Sequence, residues 1–337
     1  LESGIRGKQE MIDSTQKITT PAQAPRNNDA GEITTQTRSQ AYEFWLRYRR
    51  HQMAVFGTIL FGLLILIALL GPFIVPEPVV NTATMFQLKN KPPSLEHPFG
   101  TNVNGLDVLG LVVYGARISL FLSVLAMLVA CAVGTVIGIV SGYFGSWVDA
   151  VLMRIADVLL SVPLIFVLSL ASRFLVNPPP EGGRGSNCVE DSSLRSIILL
   201  PLIIGLLTWP AVARLVRSVT LSVKQQEFVT SARALGSKDG RIMFLHILPN
   251  VINPVVVAGT LIVGQNIVLE AFLSYLGYGI QIPLRSWGTA LAQSQNEFVN
   301  GNWWWAFFPG FFILLTVLAI NFIGDGLRDA LDPRNKR

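Results

Sequence analysis

Glu270 is the residue of this sequence whose surroundings most demand an explanation. It lies deep in an apolar run from Asn253 to about Leu276, close to Gln265 and Asn266. An ionised carboxylate in such a setting is costly unless it is paired or hydrated. Either Gln265, Asn266 and Glu270 line a polar pathway, or Glu270 bonds to another helix, and the sequence supports the two equally. Arg154 and Asp157 stand in another apolar run at a spacing of three, close enough to pair on one helix. A structural ion pair is the simpler reading and a proton relay the alternative. His51, His97 and His246 are far apart and near no cysteine or carboxylate cluster at ligand spacing, so no metal site is expected. Cys131 falls in an apolar run and Cys188 in a polar loop, which argues against a disulfide framework.

Nucleotide and hydrolytic chemistry find no foothold. A phosphate-cradling loop needs Gly-Lys followed by Ser or Thr, and no lysine here is followed by either. There is no Gly-x-Ser-x-Gly elbow and no His-Glu-x-x-His helix. The chain is expected to be no enzyme and to carry no cofactor.

The elements that position these residues are set by composition. The 337 residues are 51% hydrophobic and only 14% charged, against about 25% charged in a soluble domain. With a mean hydropathy of +0.49, lipid must be part of the solvent. The net charge of +5 sits in short patches beside apolar runs. That pattern suits membrane orientation and not nucleic acid.

A helix needs roughly 20 mostly apolar residues to cross a ~30 Å hydrocarbon core. Six runs qualify: Ala54–Val75, Ile118–Phe144, Val151 to about Leu175, Ile197 to about Val216, Asn253 to about Leu276, and Trp303–Ile323. The expected fold is therefore all-α and polytopic, with six transmembrane helices. Residues 1–52 read as a polar, largely disordered cytoplasmic arm. Residues 53–337 form the membrane domain, with an outer loop at 76–117 and a second polar loop at about 217–250. Pro163 and Pro210 fall inside spans, where they free backbone carbonyls. Ala130, Gly134, Gly138 and Gly142 recur every fourth residue, a small-residue face suited to close helix packing.

Arginines and lysines are denser before the first span, after the fourth and after the sixth than in the intervening loops. The positive-inside rule then places both termini in the cytoplasm. Trp303, Trp304 and Trp305 would open the last span at the outer interface.

The loop between the fourth and fifth spans is the most informative segment. Glu227 to Leu235 holds good helix formers, and Gly236 suits the left-handed position that ends a helix. Ser237 can cap a second helix reaching about Leu248, where Pro249 would stop it. The tip is small-sided, with Ser231, Ala232, Ala234 and Gly236, a knob able to enter a cleft on another protein.

This stretch resembles the EAA loop of ABC-importer permeases. In that loop Glu-Ala-Ala is followed by three residues, a Gly, nine residues and Ile-x-Leu-Pro. Thr230 and Ser231 occupy the Glu and first Ala positions, and His246 takes the Ile slot. Ala232, Gly236, Leu248 and Pro249 match. The likeness extends to His97–Thr101, Asp107–Leu109, Tyr114–Arg117, Gly142–Gly145, Phe272–Gly277, Ser286–Gly288 and the tail Gly324–Arg334. These are similar to the C-type subunits of dipeptide and oligopeptide permeases, with Asn102 and Leu106 departing from that pattern.

The resemblance implies a type I ABC-importer permease fold in the bacterial inner membrane. It implies half of a heterodimeric pathway shared with a second homologous permease. An extracytoplasmic binding protein would deliver a peptide, and two cytoplasmic ATPase subunits would bind ATP and Mg. Thr230, Ser231, Ala232, Ala234, Leu235, Gly236, Leu248 and Pro249 would then couple to the ATPases. Nickel-chelate and glutathione permeases share these motifs and stand as alternatives. A stand-alone secondary transporter would place coupling-ion groups near midplane and often show an internal repeat, and a membrane enzyme would need several converging ionisable groups. The sequence offers neither.

Overall fold

The computed structural model describes residues 40–80, 85–176, 188–281 and 283–331. Among them the elements are helical and no strand occurs, only an isolated bridge between Thr101 and Asp107. In chain order they are α1 (Gln40–Arg50), α2 (Gln52–Ile74), α3 (Met85–Leu88), α4 (Val108–Phe144), α5 (Ser146–Ser161), α6 (Leu164–Ala171) and α7 (Cys188–Val223). There follow α8 (Glu227–Ala234), α9 (Asp239–Arg241), α10 (Leu248–Tyr275), α11 (Trp287–Val299) and α12 (Trp304–Leu331). Wider π-helical turns extend α6 over Ser172–Val176 and join α9 to α10 over Ile242–Ile247.

Small residues set how the two longest helices meet. A methyl group at Gly134, Gly138 or Gly142 of α4 would lie only 2.6–2.8 Å from atoms of Val212, Ala213 or Thr220 of α7. Gly205 of α7 makes the reciprocal approach to Ala126 and Val129. With no hydrophobic drive between helices in lipid, this backbone proximity and the packing around it hold the pair. The expected small-residue face is therefore the central seam of the bundle. Helix α2 packs on α12 in the same manner, through Gly57 against Ala319 and Phe322.

Five helices are long and apolar enough to cross a membrane singly, and the third expected span is a bent pair. Where the sequence predicts one span from Val151 to about Leu175, α5 and α6 meet at 88°. Pro163 is the cause. It disfavours helical backbone at the residue before it, and Val162 is extended at φ −90° and ψ 133°. Pro210, by contrast, stays within continuous helix. The expected Arg154–Asp157 pair is also replaced: Asp157 binds Arg214 of α7. A partner on the neighbouring helix ties α5 to the bundle, which a pair within α5 could not do.

Three helices lie where none was expected, one of them the single turn α3 within residues 76–117. Gln40–Arg50, inside the predicted disordered arm, forms α1 and packs Phe44 and Tyr48 against Ala54, Leu327 and Ala330. The rest of that arm, residues 1–39, lies outside the described residues, as do the C-terminal residues 332–337. The end of the bundle away from the α8–α9 hairpin carries α11, capped by Ser286 in a reciprocal box with Thr289. Trp304 and Trp305 turn inward and are buried. Both indole N–H groups donate to the carbonyl of Thr101, at 3.2 and 2.7 Å, and Phe99 stacks on Phe308 at 3.9 Å. The α1 helix, the α8–α9 hairpin and the end of α12 share one end of the bundle.

Candidate functional site: an exposed hairpin and a polar groove

Gly236 ends α8 at φ +78°, as its sequence position predicts. Its N–H bonds the carbonyl of Arg233 at 3.0 Å and that of Ser237 bonds Ala232 at 3.1 Å, the paired closure of a Schellman motif. The tip projects freely: Thr230, Ser231, Ala234 and Gly236 are exposed, Ala232 is half-buried, and Leu235 is 87% exposed. Ser237 does not cap the next helix. Lys238 takes the cap position without a side-chain bond, and α9 starts at Asp239. Nor does Pro249 stop the second helix. It sits in the first turn of α10, directly after the π turn, and the chain passes from one to the other without a break.

The root of the hairpin is rigid. Val229 is fully buried among Val223, Ile242, Ile247 and Val251, with Leu248 packed alongside, while Pro249 is exposed. Tyr143, at the end of α4, is the polar clasp. Its hydroxyl donates to Asp239 Oδ1 at 2.5 Å, and Lys224 Nζ donates to its carbonyl. The Lys224 ammonium and the Arg233 guanidinium both lie 5.5 Å from the Tyr143 ring centre, within cation–π range. Nearby, Arg217 grips both oxygens of Asp149, each at 2.5 Å, and Ser141 donates to the same carboxylate. The hairpin is thus tied to α4 through Tyr143, and Asp149 ties α5 to α4 and α7.

Glu270 lies at the opposite end and is 1% exposed. Its carboxylate accepts from Ser274 at 2.8 Å, Ser286 at 2.7 Å and Ser119 at 3.3 Å. Each of these hydroxyls also accepts a backbone N–H, from Ile280, Thr289 and Trp287 respectively. One carboxyl group therefore joins α4, α10 and the start of α11 through three relays. Asn266, on the same face, is also buried and donates to the carbonyl of Ser123 at 3.3 Å.

Gln265 points elsewhere. It is exposed and lines a groove of about 590 Å³ between α10, α12 and α6, together with Gly264, Val268, Phe272 and Asn321. The structure thus separates Gln265 from Asn266 and Glu270. Toward the hairpin end, Asn253, Asp325 and Arg328 line a second groove of about 410 Å³ on α10 and α12.

Residues 134–337, which contain the hairpin and both grooves, match the family of binding-protein-dependent transport system inner membrane components. The chain belongs to that family. Residues 39–93 of this permease match the N-terminal transmembrane domain of oligopeptide transport permease C, which adds the C-type assignment. The dipeptide transport system permease protein DppC of Bacillus subtilis is 37% identical over 312 residues, 93% of this chain and 91% of that one. The oligopeptide transport system permease protein OppC of the same species is 37% identical over 314 residues, 93% and 96% of the two chains. The glutathione transport system permease protein GsiD of Escherichia coli O157:H7 is 39% identical over 302 residues, 89% and 93%.

The protein is thus a multi-pass inner-membrane permease subunit of an ABC importer, with a type I permease fold. Its geometry adds residues that the sequence reading of this permease missed. Asn321 is a single amide in an apolar helix, a signal as strong as Gln265. Tyr143 lies in the recognised Gly142–Gly145 segment, yet nothing in its local sequence announces Asp239 as a partner 96 positions away.

Proposed function

We propose that this permease forms half of a translocation pathway for short peptides and receives ATP-driven movement through Thr230–Gly236. The observation that carries the reading is the hairpin: a small-sided, exposed tip on a buried, clasped root. Such a shape enters a cleft at little steric cost and transmits force without collapsing. Two cytoplasmic ATPase subunits, which bind ATP and Mg, would receive the tips, and a binding protein would deliver substrate to the other end. A second, homologous permease would close the groove at Gln265 and Asn321 into a pathway. That arrangement puts α1, the hairpin and the end of α12 on the cytoplasmic side, in agreement with the arginine and lysine bias. Alternating access then follows from rocking of two rigid bundles.

A glutathione-type substrate is the second reading, favoured by the 39% identity to a glutathione permease. Uptake of labelled dipeptides, longer peptides and glutathione by the reconstituted complex separates the two. The coupling role is tested with Ser231→Cys at the tip. It should cross-link to the ATPase subunit in the intact complex and change its yield when ATP binds. Absence of any ATPase cross-link overturns the coupling role.

A further inference from the structure

A groove of about 660 Å³ opens on another side of the bundle, between α2 and α4 at the end away from the hairpin. Its walls are hydrocarbon: Phe61, Ile65 and Leu69 from α2 face Phe121 and Val124 from α4. Its mouth is cationic. Arg117, exposed, and Arg285, half-buried, line it, and Glu77 is the one carboxylate in the lining. Among the described residues no carboxylate lies within ion-pair distance of either arginine. Burial pushes the Arg285 guanidinium below its ordinary value, and Glu77 offsets this in part. The mouth therefore holds two cations against one anion.

The depth of the mouth is set by the helices. Helix α2 ends at Ile74, just before Glu77, and Arg117 immediately precedes the apolar run Ile118–Phe144. Glu77 follows the end of α2, and Arg117 stands nine residues into α4, so the charged groups gather at one end of the groove. Tyr114 stands there too, its hydroxyl donating to the carbonyl of Val75 at 3.4 Å, as an aromatic residue does at an interface.

We propose that this groove binds an anionic phospholipid, one acyl chain lying between α2 and α4 and the headgroup phosphate held by Arg117 and Arg285. The apolar walls alone would confer no selectivity, because an acyl chain leaves surroundings as apolar as the ones it enters. Selection rests on the arginines, whose planar donors match phosphate oxygens in pairs. The groove lies apart from the hairpin and from the face carrying Gln265, so lipid binding and the transport reading stand or fall separately.

The test uses the intact importer purified in mild detergent from membranes of known lipid composition, with retained lipids quantified by mass spectrometry. Phosphatidylglycerol or cardiolipin should be enriched over phosphatidylethanolamine relative to the bulk membrane. Arg117→Gln and Arg285→Gln should each lower that enrichment about fivefold. Ile65→Trp, which fills the groove, should release lipid whatever its headgroup. Unchanged enrichment in the double arginine variant overturns the proposal. So does cross-linking of Phe121→Cys to the neighbouring permease, which would make the groove a protein interface. Should the variants fail to assemble, a photoreactive anionic lipid on the wild-type complex decides. Label on α2 and α4 supports the site, and label elsewhere only overturns it.

Discussion

At the scale of single residues, Glu270 and Gly236 carry the sharpest expectations. Glu270 is wholly engaged with three hydroxyls, all of them buried, so its removal strands buried donors. We expect Glu270→Ala to lower the stability of the solubilised complex by about 3 kcal/mol or more, and Glu270→Gln by about 1–2 kcal/mol. Thermal unfolding of the complex measures both, while transport per assembled complex should be preserved. Loss of transport in fully assembled Glu270→Gln would instead make the carboxylate part of the pathway. Gly236 has a left-handed backbone, and no atom lies within 4 Å of a Cβ built there. Gly236→Ala should therefore cost only the backbone penalty of about 1–2 kcal/mol, whereas Gly236→Asp also adds charge at the exposed tip. Co-purification with the ATPase subunits should fall further for Asp than for Ala. Equal yields would show that the tip surface is not a contact.

At the scale of elements, the α4–α7 seam and the Tyr143 clasp decide how movement spreads. A valine at Gly138 would meet Ala213 and Val216 at 2.6 Å, whereas Gly62 of α2 has nothing within 4 Å. Gly138→Val should destabilise the bundle by about 1–3 kcal/mol through overpacking, and Gly62→Val should leave its unfolding midpoint unchanged. A comparable loss at both sites would assign the effect to glycine content and not to the seam. Tyr143→Phe removes the bond to Asp239 but keeps the ring under Lys224 and Arg233. Assembly should survive while stimulation of ATP hydrolysis by loaded binding protein weakens. Wild-type stimulation would show that apolar packing around Val229 alone carries the force.

At the scale of the whole molecule, the polar residues of the bundle divide into two groups. One is spent on internal ties, as with Glu270, Asn266 and the Asp149–Arg217 pair. The other lines open grooves on α10 and α12, where Gln265 and Asn321 have no task within the monomer's core. A second permease set against that face would enclose them. We expect Gln265→Trp and Asn321→Trp to abolish substrate uptake by the reconstituted importer while leaving subunit stoichiometry intact. Uptake near wild type in both would move the pathway to another face.

The sequence by itself determined the spans, the hairpin and the family, because each is written in local signals. Apolar runs near 20 residues report lipid, Gly236 reports a left-handed turn, and the spacing from Thr230 to Pro249 reports the loop. Only the tertiary structure decided which polar groups are structural and which face outward. Gln265 and Asn266 are adjacent in sequence but lie on different faces, one exposed and one buried, since each helical residue turns about 100°. Asp157 lay within reach of Arg154 by spacing, yet the arrangement of α5 beside α7 gave it to Arg214. Pro163 signalled a kink, but only the structure shows that the two helices meet at 88°. Glu270 shows the division most plainly. Its burial was legible from the surrounding apolar run, whereas its partners Ser119 and Ser286 lie 151 and 16 positions away and meet only when the bundle closes.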